Sequence, residues 1–159
     1  MYPEKDYEEL INKIKIKVKE ELRKNTQEKI WDLNLDISKK LADTAVKKAR
    51  EMSVNVVVVV MDKHGNIILL NRMDDSVLAA IKVAEKKAYT SVALRIPSSD
   101  VLKGGFDKLV ETMEGKIAAF GGGLPIKAGG KLIGAIGVSG GSAEEDTKIA
   151  EYAINAVFG

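Results

Sequence analysis

The chain has 159 residues, 45% hydrophobic and 30% charged, with a formal net charge of +2, the profile of one soluble domain rather than of a disordered or fibrous chain. It contains no cysteine and a single histidine, His64, which excludes disulfides, thiol catalysis, thiolate zinc sites and a His-rich metal centre. Balanced charge argues against a nucleic-acid groove, and neither an apolar leader nor an apolar run near the ~20 residues of a bilayer span is present, so a cytoplasmic location with no membrane partner is expected.

Residues 4–24 carry Leu10, Ile14, Val18 and Leu22 four apart among charges, which predicts an amphipathic helix. A second helix is expected over 35–51, capped by Asp36 or Ser38, with Leu41, Ala42, Ala45 and Ala49 as a close-packing face. The run NVVVVVM at 55–61 is short, β-branched and apolar on both faces, so it reads as a central strand covered on two sides. DKHGN at 62–66 supplies an Asx-turn at Asp62 and a positive φ at Gly65, leading to an antiparallel strand IILLNR.

Residues 77–94 place Val77, Ile81, Ala84, Ala88 and Val92 on one helical stripe, with Asp75 or Ser76 as cap. Pro97 ends that helix, and SSD at 98–100 caps a shorter one reaching about Val110, weakened by Gly104 and Gly105. KIAAF and GGGLPIKA then lead to Gly129-Gly130, a pair suited to a type I′ hairpin, and KLIGAIGVS returns as the last strand. A final helix over 143–158 buries Ile149, Ala150, Ala153, Ile154 and Val157.

The glycine-rich GAIGVSGGSAEED at 134–146 invites a phosphate-loop reading, but its spacing is neither that of a dinucleotide fingerprint nor that of a P-loop. Ser142 with Glu145 forms a capping box, and Glu144, Glu145 and Asp146 would repel a phosphate at the same helix start. Gly134 and Gly137 instead fall on opposite strand faces, where each admits a close neighbour. His64 reads as a solvated turn residue, and Met61, Met73 and Met113 as core filler rather than soft ligands. Spacing leaves open whether Lys87, Tyr89 and Thr90 are surface and core-edge residues or the polar side of a pocket. Gly121 to Gly123, followed by Leu124-Pro125, offers backbone N–H groups to an anion or carboxylate.

The Asp62 to Gly65 turn, Arg72-Met73-Asp74, Lys87-Ala88-Tyr89-Thr90, the Gly-Gly-Leu-Pro segment and Gly-Val-Ser-Gly-Gly before an acidic helix start together resemble the GlcG/HbpS family, which includes the C-terminal domain of PduO-type proteins. The likeness covers about residues 35–159 and leaves 1–34 as an added helical extension, too short for a PduO-type adenosyltransferase domain. It implies a profilin-like α/β (α+β) fold, an antiparallel sheet of about five strands with helices packed on it, and a homo-oligomer. It also implies a function near haem or corrinoid chemistry, with Lys87, Tyr89, Thr90, Gly122, Gly123, Leu124 and Pro125 as the ligand surface and no metal ligand. Haem-binding members depend on a protein ligand such as histidine, and this chain has none in its N-terminal helices.

The leading expectation is an oligomeric small-molecule-binding protein, with haem or a corrinoid as ligand, accessory to cofactor or cobalamin-dependent metabolism. An enzyme acting on haem or a small carboxylate is the alternative, with Lys87 or Tyr89 as acid and the Gly121 to Pro125 backbone holding an anion. An assembly module that docks through the 4–24 helix is the third.

Overall fold

The computed structural model describes residues 4–29 and 32–159, with side chains over 7–22 and 32–159. It divides into two units, 1–31 and 32–159. The first contains helix α1, Glu4–Lys29, longer than the apolar spacing predicts. Its stripe residues Leu10, Ile14, Val18 and Leu22 are all half or more exposed.

The second unit contains α2 (Leu35–Glu51), β1 (Val57–Asp62), β2 (Ile67–Arg72), α3 (Ala79–Leu94), a 3-10 turn (Ser98–Asp100), α4 (Asp107–Thr112), β3 (Gly123–Ala128), β4 (Lys131–Ser139) and α5 (Ala143–Phe158). The strands form one antiparallel sheet in the order β2-β1-β4-β3. Strand alternation sends the valine run to two cores. Val56, Val58 and Val60 pack with Leu41, Ala45, Ile149 and Ala153 of α2 and α5. Val57, Val59 and Met61 pack with Ala80, Ala84, Ala88 and Val92 of α3. The sheet is therefore covered on both faces, as a continuous apolar run requires.

The sheet has four strands rather than about five. Residues 116–120 stay outside it because side chains take over their backbone groups: Ala118 N donates to Thr90 Oγ1 at 2.9 Å, and Ser98 Oγ donates to Phe120 O at 2.6 Å. With those groups satisfied, a ladder partner gains nothing.

Helix starts differ from the expected caps. Asn34 caps α2, its side chain accepting from Ile37 N at 2.9 Å, while Ser38 Oγ donates back to Asn34 O. Helix α3 begins at Ala79 with no side-chain cap, since Ser76 Oγ is committed to Met73 O, and Val77 is exposed. The stretch after Pro97 makes only the 3-10 turn and a separate α4, interrupted at Gly105 with φ 73°. The α5 capping box forms as its residue pattern predicts, Glu145 N donating to Ser142 Oγ and Ser142 N to Glu145 Oε2. Both glycines of the β3–β4 turn have positive φ, 53° and 78°. The Asx-turn forms too, His64 N and Asn66 N both donating to Asp62 Oδ1.

Candidate functional site

Glycines let the α3 layer descend onto the sheet. A Cβ at Gly137 of β4 would collide with Ala84 O and lie 2.7 Å from Ala88 N, and one at Gly123 of β3 would collide with Lys87 O. Gly134 faces the other way, toward Leu33, where it meets the α2–α5 core. This contact carries Lys87 into the protein.

Lys87 is 1% exposed. Its Nζ donates to Asp146 Oδ2 at 2.7 Å and to Val138 O at 3.1 Å, and it sits 4.8 Å from the centroid of the half-exposed Phe120 ring. Asp146, equally buried, lies in the first turn of α5, and its other oxygen accepts from Gly141 N at 2.9 Å. Burial pushes the Lys87 ammonium down and the Asp146 carboxyl up, each opposed by the other's charge and hydrogen bond. Two further hydrogen bonds and the N-terminus of α5 favour the charged pair. Gly122, with φ 117°, closes over it: a Cβ there would lie 2.8 Å from Lys87 Nζ and 2.9 Å from Asp146 Cβ.

Lys87, Gly122 and Gly123 are thus brought together in a packed interior. The Gly121 to Gly123 backbone is buried, and Gly123 N already donates to Ser98 Oγ at 2.9 Å. Thr90 lies beside it, donating to Lys86 O and accepting from Ala118 N. Tyr89, from the same helix, leaves this cluster and packs its ring 3.6 Å from the position a Cβ would take on Gly65. Leu124 and Pro125 line a third place, a groove with Arg95, Ile96 and Pro97.

The concavity that Tyr89 borders holds about 650 Å³ and is lined by Met61, Gly65, Asn66, Ile67, Lys82, Glu85, Lys86, Tyr89 and Lys116. That volume falls within the range of small-molecule sites, roughly 300–1,000 Å³. Its floor is apolar and aromatic and its rim is mostly cationic, Lys82 pairing with Glu85 at 2.9 Å. The chemistry suits a flat apolar ring system bearing carboxylates. His64 does not line it, and Met73 is occupied elsewhere, its sulfur accepting from Val56 N. Among the residues lining the cleft, Tyr89, Glu85 and the lysines carry donor atoms that could approach a ring-bound metal, and no histidine is among them.

Sequence reasoning missed Asp146, which read only as one of three carboxylates at a helix start. It also missed the lysine rim. The Lys82–Lys86 spacing on a helix was a signal for the rim; nothing in the sequence links positions 87 and 146.

No described helix is long and apolar enough to cross a membrane. A family model for haem-degrading, HbpS-like proteins matches residues 33–155. The chain is 39% identical over 136 residues to an uncharacterised 15.0 kDa protein of the dhaT-dhaS intergenic region of Citrobacter freundii, covering 82% of this chain and 96% of that one. It is 40% identical over 122 residues to the corrinoid adenosyltransferase PduO of Salmonella typhimurium, covering 74% of this chain but only 36% of PduO. Among crystal structures, the complex of PduOC with haem superposes with a TM-score of 0.74 at 38% identity, over 79% of this chain and 94% of the other. HbpS superposes with a TM-score of 0.73 at 30% identity, over 80% and 91%.

Proposed function

The chain belongs to the HbpS-like family, and from that premise we propose that it is a tetrapyrrole-binding protein, taking haem or a corrinoid in the cleft bordered by Tyr89. The observation that carries the proposal is the cleft's make-up, an apolar and aromatic floor under the ammonium groups of Lys82, Lys86 and Lys116. Its likeness to a chain crystallised with haem supports the same ligand class. Met61, Ile67 and the Tyr89 ring would hold the macrocycle by apolar contact, and the lysine rim would orient its carboxylates. A bound haem would supply redox-active iron; the residues of this chain bind it, orient it and exclude water from one of its faces.

Of the other residues singled out in the sequence, Lys87, Thr90, Gly122 and Gly123 form the buried frame that fixes α3, and Leu124 and Pro125 serve a separate groove. The protein acts in the cytoplasm as a homo-oligomer, accessory to cofactor or cobalamin-dependent metabolism, with helix α1 as an appended arm. The exposure of Leu70 on the edge strand β2 and of Val77 and Leu78 just before α3 supports self-association.

Visible absorption titration with hemin, and separately with cobalamin, tests the reading. A saturable spectral change at micromolar ligand, weakened in Tyr89→Ala, is expected. Absence of saturable binding by both ligands would overturn it.

A further inference from the structure

Both tight turns of the sheet lie at one end, because β1 and β4 pair antiparallel with Asp62 opposite Gly134. Lys63 and His64 of the first turn, Lys127, Gly130 and Lys131 around the second, and Arg95 at the end of α3 line a groove with Leu132. It holds about 540 Å³, and five of its seven lining residues are basic while none is acidic. Lys63 is held from outside the groove by Asp32, at 2.6 Å.

This is a local concentration of positive charge in a chain whose formal net charge is only +2. Like charges around one concavity repel, and spreading them over the surface would relieve that repulsion at no cost to the fold. The partial negative charge at the end of α3 accounts for one cation there, Arg95, not for the three lysines that share the hollow with it. Arg95 also occupies a left-handed backbone position, φ 60°, that glycine adopts with less strain. A guanidinium fork beside lysine point charges and an imidazole is donor chemistry for oxyanions.

We infer that this groove binds a small polyanion, a molecule carrying two or more phosphate or carboxylate groups, at a site separate from the Tyr89 cleft. The 62–67 turn is the wall between them, with Lys63 and His64 toward the groove and Gly65, Asn66 and Ile67 toward the cleft. The size of the groove and the spread of its cations suit several anionic groups on one ligand better than a single ion.

Isothermal titration of the full chain with tripolyphosphate and with citrate tests the inference. Saturable binding is expected, weakened about tenfold or more by the pair Arg95→Gly/Lys127→Gln and unchanged by Lys108→Gln on α4. Arg95→Gly suits the left-handed backbone, so an unchanged or raised Tm separates loss of binding from loss of fold. Binding of tripolyphosphate alone assigns a phosphate ligand, and binding of citrate alone a polycarboxylate. Saturable heat from neither probe, or equal weakening by Lys108→Gln, would overturn the inference. Hemin binding by the groove pair is expected to match that of the parent chain; its loss would overturn the separation of the two sites.

Discussion

Lys87 Nζ and Asp146 Oδ2 lie 2.7 Å apart across 59 positions of sequence, with both side chains only 1% exposed. The pair ties α3 to α5 beneath Gly122. Removing one partner leaves the other charge buried and alone, which costs more than removing both. Lys87→Met is therefore expected to destabilise the protein by about 3–5 kcal/mol, and Lys87→Met/Asp146→Leu to recover most of that loss. Urea denaturation of parent, single and double variants at neutral pH measures both; a double variant no more stable than the single would show that the pair itself contributes the stability.

The glycines of β4 and of the hairpin turn separate two uses of the same residue. Gly137→Ala forces a Cβ into Ala84 O and the Ala88 backbone, where nothing flexible can give way. A loss of at least ~1–3 kcal/mol is expected, and α3 lifts from the sheet if the chain folds at all. Gly130 has open space around it and only a positive φ to satisfy, 78°, so Gly130→Asn is expected to change stability by less than ~1 kcal/mol. Thermal melts of the two variants should rank them in this order.

The cleft makes a charge-dependent prediction. Lys86→Glu/Lys116→Glu reverses two charges of its rim without touching either core. Hemin affinity should fall about tenfold or more while Tm stays near the parent value. An unaltered hemin titration would place carboxylate recognition elsewhere.

Acid should weaken the start of α5. The hydrogen bonds of Ser142, backbone first, hold the Glu145 carboxyl below its usual 4.5. A carboxyl depressed in the folded state contributes stability that is present above its unfolded value and lost as pH falls through the folded one. Asp62 runs the same way: burial opposes the shift, but hydrogen bonds from Asn66 and the His64 backbone outweigh it. Asp146, pushed up by burial, runs oppositely, its contribution lost as pH rises. Tm measured from about pH 6 to about pH 3 should therefore fall less steeply in Glu145→Gln than in the parent. Identical slopes would remove the capping box as a contributor.

Local chemistry was readable in the sequence. The β-branched run, the Asx-turn at Asp62, the Gly129-Gly130 hairpin and the Ser142–Glu145 box each depend on residues within about five positions of one another, and each formed as its pattern predicts. The start of α3 failed because the local signal was ambiguous: Ser76 was as able to bond Met73 O as to cap a helix. The fifth strand failed because Thr90 and Ser98, far away in sequence, claimed the backbone of 118–120.

The residue set named for the ligand surface shows the same division. Residue types drew attention to Lys87, Tyr89 and Gly121 to Pro125, and the family resemblance was legible in their motifs. Positions two apart on a helix point about 200° apart, onto nearly opposite faces, so Lys87 turns inward to Asp146 while Tyr89 turns toward Gly65. The sequence by itself determined the family, the covered central strand and the self-capped last helix, because these rest on neighbours along the chain. Only the tertiary structure decided that Lys87 is a buried strut and that lysines 82, 86 and 116 share one rim. It also gathered five basic residues into one groove, since such contacts arise from packing between elements that no local pattern encodes.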